Sequence, residues 1–163
     1  MCSSDLELSF LVEIRKFKSG DEQAVETLIT GIMNEEFPQT KDAYPSEDLR
    51  DIPRVYGKSG EAFFVATNQN HIVGTVAIKR EDDRTALLRR IFVVPTHRNQ
   101  RIGVRLIEHA IDFCKQTGYE EVVFKTSSKM DKAIRLCENK GFQQRAKLEV
   151  GGLELLRLVL FLG

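Results

Sequence analysis

The stretch from Leu88 to Leu106 reads LRRIFVVPTHRNQRIGVRL. An apolar strand ends at Val93-Val94-Pro95, a polar turn follows, and a helix begins near Arg101–Gly103. The first turn of a helix carries free backbone N–H groups and the positive end of the helix dipole, an arrangement suited to phosphate. Gly103 would let backbone approach a ligand where a Cβ would intrude. Arg89, Arg90, Arg98, Arg101 and Arg105, with His97, make this the basic part of the chain, and some of these can reach phosphates. The bland alternative is a strand–turn–helix with a solvated basic face, because short glycine motifs arise by chance. The segment is neither a GxxxxGK[ST] loop nor a GxGxxG fingerprint.

The flanking chain reads as alternating strands and helices. Upstream, Ser9–Phe17 has strand alternation, and Ala24, Leu28, Ile29 and Ile32 recur at helical spacing. Phe37–Pro53 is polar, with three prolines, and reads as a substrate-side loop with a short helix near Ser46–Val55. Strand-like runs follow at Ala62–Thr67, Ile72–Arg80 and Thr85–Val94, with turn signals at Asn68-Gln69-Asn70 and Asp82-Asp83. Downstream, Ile102, Leu106, Ile107, Ala110, Ile111 and Cys114 form one helical face, closed by Gly118. A strand at Glu120–Thr126, a helix at Met130–Asn139 and two strands, Gln143–Val150 and Leu153–Leu162, complete the chain. Gly151-Gly152 marks the last hairpin. The order predicts a layered α/β (α+β) fold with a strand–helix–strand crossover from Leu87 to Thr126 and a mixed sheet.

Composition narrows the function classes. The chain has 163 residues and a mass of 18.6 kDa, enough for a single domain over residues 1–163 without disulfide or metal staples. Lys plus Arg and Asp plus Glu number 24 each, so the chain lacks the basic excess of a general nucleic-acid binder. The three cysteines, Cys2, Cys114 and Cys137, and the scattered His71, His97 and His109 have no metal-site spacing. No signal peptide and no membrane span is readable, so the expected location is the cytoplasm with no membrane partner.

With these elements placed, the chain resembles the GNAT superfamily of acetyl-CoA-dependent N-acetyltransferases, in a bacterial-type, single-domain branch, over roughly Val12 to Leu162. Residues 93–103, VVPTHRNQRIG, look like the family's VxPxxRxxxxG region and its [RQ]xxGx[GA] pyrophosphate loop. Residues 133–142, AIRLCENKGF, look like its AxxLYExxGF segment. The resemblance implies a mixed, mostly antiparallel sheet of about seven strands flanked by helices, with the crossover at the cofactor site. It implies acetyl-CoA as co-substrate, no metal, and direct acetyl transfer to a primary amine of a small molecule or peptide in a ternary complex. Ile91, Phe92 and Val93 would splay from the neighbouring strand and offer backbone groups to pantetheine and the thioester oxygen, one N–H acting as an oxyanion donor. Arg98, Asn99, Gln100, Arg101, Ile102, Gly103 and Val104 would cradle the pyrophosphate.

Three positions depart from the family pattern. The first loop glycine is Arg101, expected in a helical conformation. Met130 stands near the place of an asparagine that contacts the pantetheine arm. The tyrosine that usually protonates the leaving thiolate is Cys137; either its thiol takes over that role, or it packs and water supplies the proton. For the base that relieves the amine of its proton, Glu36 and its neighbour Glu35 stand at the end of the first helix, against the alternative of a solvated helix end. Asp48 and Asp51 invite the same two readings, and Tyr44 and Tyr56 flank the acceptor loop as pocket candidates. The departures keep a rival open, a catalytically impaired acyl-CoA-binding sensor or interaction module; a general phosphate binder explains only the arginines. The apolar last strand is either a core strand or a homodimer edge. In sum, positive charge gathers at the turn expected to hold CoA, while Glu35, Glu36, Asp42, Glu47, Asp48 and Asp51 gather in the expected acceptor region, as suits a cationic amine.

Overall fold

In a computed structural model, residues 11–39 and 45–163 are described; Cys2, Ser9, Asp42 and Tyr44 lie outside them. Seven strands form one sheet: β1 (Val12–Lys16), β2 (Ala62–Asn68), β3 (His71–Arg80), β4 (Thr85–Val93), β5 (Glu121–Ser127), β6 (Gln143–Val150) and β7 (Leu153–Phe161). Their order across the sheet is β1-β2-β3-β4-β5-β7-β6. Every neighbouring pair is antiparallel except β4 and β5. The turn expected between the second and third strands is a tight hairpin, with Gln69 at φ 52° and Asn70 at φ 70°, as a type I′ turn requires.

Among the described residues, four α-helices complete the layers: α1 (Glu22–Glu36), the short α2 (Ile52–Val55), α3 (Ile102–Thr117) and α4 (Asp131–Asn139). The apolar face predicted for α3 is its buried face, and Gly118 closes it at φ 96°. That face packs with Phe64, Ile78, Leu88 and Leu158 in one core layer, which also takes in Cys137. The other layer joins Val25, Ile29 and Met33 of α1 to Phe63, Val65 and Ala77 of the sheet. Each fully buried aliphatic of this kind contributes about 1.5–3 kcal/mol, so the two layers fix how the strands present their ends.

The apolar last strand finds its explanation here. β7 lies between β5 and β6, so both its edges are paired within the chain. Leu156, Leu158 and Val159 are buried, and the sheet edge on that side belongs to the exposed β6.

Two irregularities in β4 shape the centre. Its parallel ladder with β5 pairs Thr85, Ala86 and Leu87 with Glu121, Val122 and Val123, and from Leu88 onward the two strands part. Against β3 the register shifts between Thr75 and Ala77, opposite Arg89 and Phe92. Arg90 takes φ 54° there, the signature of a β-bulge that re-aims the strand beyond it.

Candidate active site

The parting of β4 from β5 opens a cleft of about 550 Å3 between the C-terminal end of α1, the end of β4, the N-terminus of α3 and one side of α4. Of the residues expected to hold the cofactor, Ile91, Phe92, Val93, Arg98, Asn99, Arg101, Ile102, Gly103 and Val104 all line it. Gln100 does not, although its Oε1 is buried with no hydrogen-bond partner. The structure adds Lys132 and Arg135 from α4, with Met130, Ala133, Leu136 and Asn139. The alternation of α4 is the only sequence signal for these, and it cannot tell a solvated cation from one at the rim of a cleft.

The turn before α3 is built by backbone. Asn99 and Arg101 have φ 65° and 66°, and no side chain caps the helix. Arg101 was expected in a helical conformation; it is left-handed instead, which explains why the family places glycine there. A left-handed non-glycine residue costs roughly 1–2 kcal/mol. Arg101→Gly is therefore expected to keep or slightly raise the melting temperature, because relief of strain offsets glycine's added freedom when unfolded. A fall of several degrees in a thermal melt would contradict that account. Gly103 lines the cleft, and a Cβ there would lie 2.8 Å from Leu136 Cδ2, so its bareness also seats α3 against α4.

Two arginines of the basic segment are turned to other work. Arg98 makes a two-pronged pair with Glu36, Nη1 to Oε1 and Nη2 to Oε2 at 2.8 Å each, and its Nε donates to the Val93 carbonyl at 3.1 Å. This joins the end of α1, the end of β4 and the turn at one point. Glu36 lines the cleft as a paired carboxylate; Glu35 is exposed.

Arg90 points away from the turn into a buried cluster. Its Nε donates to Asp48 Oδ2 at 3.0 Å, and its Nη2 donates both to Asp48 Oδ1 and, at 2.6 Å, to the Pro45 carbonyl. The Tyr56 hydroxyl donates to Asp48 Oδ2 at 2.6 Å, and Thr75 Oγ1 donates to the Arg90 carbonyl at 2.7 Å. The cluster ties the segment around Asp48 to the bulge. Burial pushes the Asp48 carboxyl up, but the bonds from Arg90 and Tyr56 outweigh it and hold it below the ordinary range. Burial, reinforced by Asp48, raises the Tyr56 hydroxyl. Asp48 is thus neither a helix cap nor a solvated carboxylate, while Asp51 is half-buried and bonds Arg54.

Cys137 is fully buried in the core layer behind the cleft and does not line it. Desolvation pushes its thiol up to about 12, as it does that of Cys114. His97 lines the cleft, with Asn68 Nδ2 3.2 Å from its Nε2, and His109 sets its ring edge-on against Phe64. Among the described residues, no three His, Cys, Asp or Glu side chains gather as a metal site, and no helix is long and apolar enough to cross a membrane.

Splayed parallel strands beside an uncapped, cation-rimmed helix N-terminus are the features that define this fold and its cleft. Residues 28–142 match the model of the acetyltransferase (GNAT) family, and the chain belongs to that family. It is 37% identical over 101 residues to the protein named "Probable N-acetyltransferase camello" of Xenopus laevis. That match covers 60% of this chain and 46% of the relative, so the chain spans about half the relative's length. An acetyltransferase of the GNAT family from Staphylococcus aureus Mu50 superposes with a TM-score of 0.84 at 24% identity, over 93% of this chain and 99% of that one. The Salmonella typhimurium protein yncA, solved with its cofactor acetyl-CoA, superposes with a TM-score of 0.78 at 19% identity, over 94% and 95% of the two chains.

Proposed function

We propose that this protein transfers the acetyl group of acetyl-CoA to a primary amine. The observation that carries the reading is the cleft itself, where the strand splay and the turn before α3 open into one space. The residues fit the ligand: the left-handed pair Asn99 and Arg101 and the first turn of α3 present backbone N–H groups, and Arg101, Lys132 and Arg135 supply positive charge at the rim. Bound acetyl-CoA supplies the thioester, an acyl group whose carbonyl oxygen gains charge as an amine adds to it.

The chain's own residues supply the remainder. The β4 edge at Ile91–Val93, released from β5, offers backbone groups to the pantetheine arm and one N–H to the charge developing on oxygen. The new bond joins amine nitrogen to the acyl carbon, the carbon–sulfur bond breaks, and the amine loses a proton as the thiolate gains one. Glu36, held by Arg98, positions the turn; the amine proton leaves through water. Cys137 does not line the cleft, and burial raises its thiol to about 12, a poor donor to an ordinary thiolate near ~8.5. In this reading Cys137 is a packing residue and the leaving thiolate takes its proton from solvent.

The test combines binding with turnover. Acetyl-CoA at 100 times its dissociation constant is expected to stabilise the protein by about 2.7 kcal/mol. A panel of amines is expected to release free CoA thiol, followed with a thiol reagent. Stabilisation with no thiol release over the whole panel would favour the sensor reading instead. Cys137→Ala is expected to keep turnover at saturating acetyl-CoA. It should also flatten the alkaline loss of stability. The folded thiol titrates above the unfolded one, so its contribution is complete below about 8.5 and fades as pH rises from there towards 12. A large loss of turnover in Cys137→Ala would restore the thiol to the mechanism.

A further inference from the structure

Among the described residues, β6 pairs with β7 along one side and has no strand on the other. Every residue from Gln143 to Val150 is exposed. An open strand edge is a row of backbone N–H and C=O groups ready to pair with another chain, and folded proteins blunt such edges with bulges and charges. The first half of β6 is blunted in that way. Its register against β7 shifts between Gln144 and Ala146. Arg145 Nη2 donates to Gln143 Oε1 at 2.7 Å, and its guanidinium lies over the Phe161 ring. The second half, residues 146–150, keeps regular register with β7.

Strand alternation sorts this second half into two faces. Ala146, Leu148 and Val150 share one of them. Leu148 is 62% and Val150 54% exposed, and across the hairpin they stand opposite Leu155 and Leu153, so this face is apolar. It is the face away from α3, because Leu156, which follows Leu155, packs into the α3 layer. On that side α1 covers Phe63, Val65 and Ala77 of β2 and β3, while Leu148 and Val150 stay in solvent. Lys147 and Glu149 share the other face. Lys147 Nζ bridges Glu154 at 3.0 Å. Glu149 stands opposite that same Glu154 and makes no ion pair among the described residues. Like charges directly opposite each other are unfavourable.

We infer that the protein forms a two-fold dimer by antiparallel pairing of β6 with β6 of a second copy, centred on Leu148. In that register Leu148 meets the partner's Leu148, and Ala146 meets the partner's Val150. Lys147 meets the partner's Glu149, and by symmetry this pair forms twice. Glu149 thereby gains the counter-charge it lacks within one chain. A slide of one residue would set the apolar face against the charged one. A slide of two would centre the pair on Lys147 or on Glu149 and set each against its own like charge. The strand is thus complementary to itself on both faces in one register. The interface lies apart from the cleft, which no β6 residue lines.

Sedimentation velocity of the purified chain over about 1–100 μM tests this, because a dimer is favoured by concentration. The wild type is expected to approach twice 18.6 kDa as concentration rises. Glu149→Lys and Lys147→Glu each set like charges against one another across the axis, and each acts twice. Either alone should raise the dimer dissociation constant at least ~10-fold. Mixed in equal amounts, the two variants should dimerise again, since the lysines of one strand then face the glutamates of the other. The double swap Lys147→Glu with Glu149→Lys in one chain should dimerise like the wild type. Leu148→Asn, which touches neither charge, should weaken the dimer as well. Circular dichroism of each variant shows that dissociation is not unfolding. A wild type that keeps the single-chain mass throughout overturns the inference, as it would if the edge were reserved for an extended peptide. A dimer that survives both single charge reversals overturns it too, because another surface then carries the association. So does a mixture no more dimeric than its two components. None of these outcomes depends on acetyl transfer.

Discussion

Asp48→Ala is expected to remove about 3–5 kcal/mol of folding stability, the largest loss predicted for any single substitution here. Asp48 and Arg90 are 9% and 8% exposed, and the truncation leaves a guanidinium desolvated and without its counter-charge. It also strips the Tyr56 hydroxyl of its acceptor. At about 2–4 °C per kcal/mol for a chain of this size, the melting temperature should fall by roughly 10 °C. Asp48→Asn, which keeps the shape and one acceptor, should lose less. The wild type should show the matching acid dependence. The Asp48 carboxyl titrates lower when folded than when unfolded, so its contribution is complete above about pH 4 and disappears as pH falls through the folded value. Because Arg90 occupies the β4 bulge, Asp48→Ala should also weaken acetyl-CoA binding in protein that remains folded. A loss below about 1 kcal/mol by denaturant titration would show that the pair is solvated or replaceable.

Arg98→Ala is expected to raise the Kd for acetyl-CoA by about 10–100-fold. Charge-assisted hydrogen bonds contribute about 1.5–3 kcal/mol each, and Arg98 makes three, two to Glu36 and one to the Val93 carbonyl. Its removal also leaves Glu36 as an unpaired anion lining the cleft proposed to receive the pyrophosphate of acetyl-CoA. Glu36→Gln removes that anion, so the double variant should bind acetyl-CoA more tightly than Arg98→Ala alone. Glu36→Gln by itself should change kcat by less than about 10-fold. A general base in its place would cost about 100–10,000-fold, so kinetics on Glu36→Gln separate a strut from a base. A large kcat loss with unaltered acetyl-CoA affinity would return Glu36 to the role of base.

Much of this molecule is legible residue by residue. The apolar spacing of Ile102, Leu106, Ile107, Ala110 and Cys114 is the buried face of α3, because only one helical stripe can be dry. The Asn68-Gln69-Asn70 and Gly151-Gly152 turns stand where positive φ values are needed. Nine of the ten residues expected around the cofactor line the cleft, since a strand–turn–helix is local and its backbone N–H groups point where the helix begins. Arg101 was less legible: its identity suggested helix, and its φ of 66° is imposed by the tight turn between β4 and α3.

What did not follow from the chain order was the pairing of charges. Glu36 and Arg98 are 62 positions apart, and Asp48 and Arg90 are 42 apart. An arginine in a run of five has no sequence mark for which carboxylate it will meet. The bulge at Arg90 turned one arginine into the core, and the end of α1 captured another. Cys137 follows the same logic, since it is buried in the core layer while Ala133, Leu136 and Asn139 of the same helix line the cleft. By itself, then, the sequence determined the order of elements, the faces they bury and the place of the turn before α3, all set by local periodicity and backbone preference. The tertiary fold decided which charges are cancelled and which remain, because net field at a site depends on neighbours brought together across the sheet.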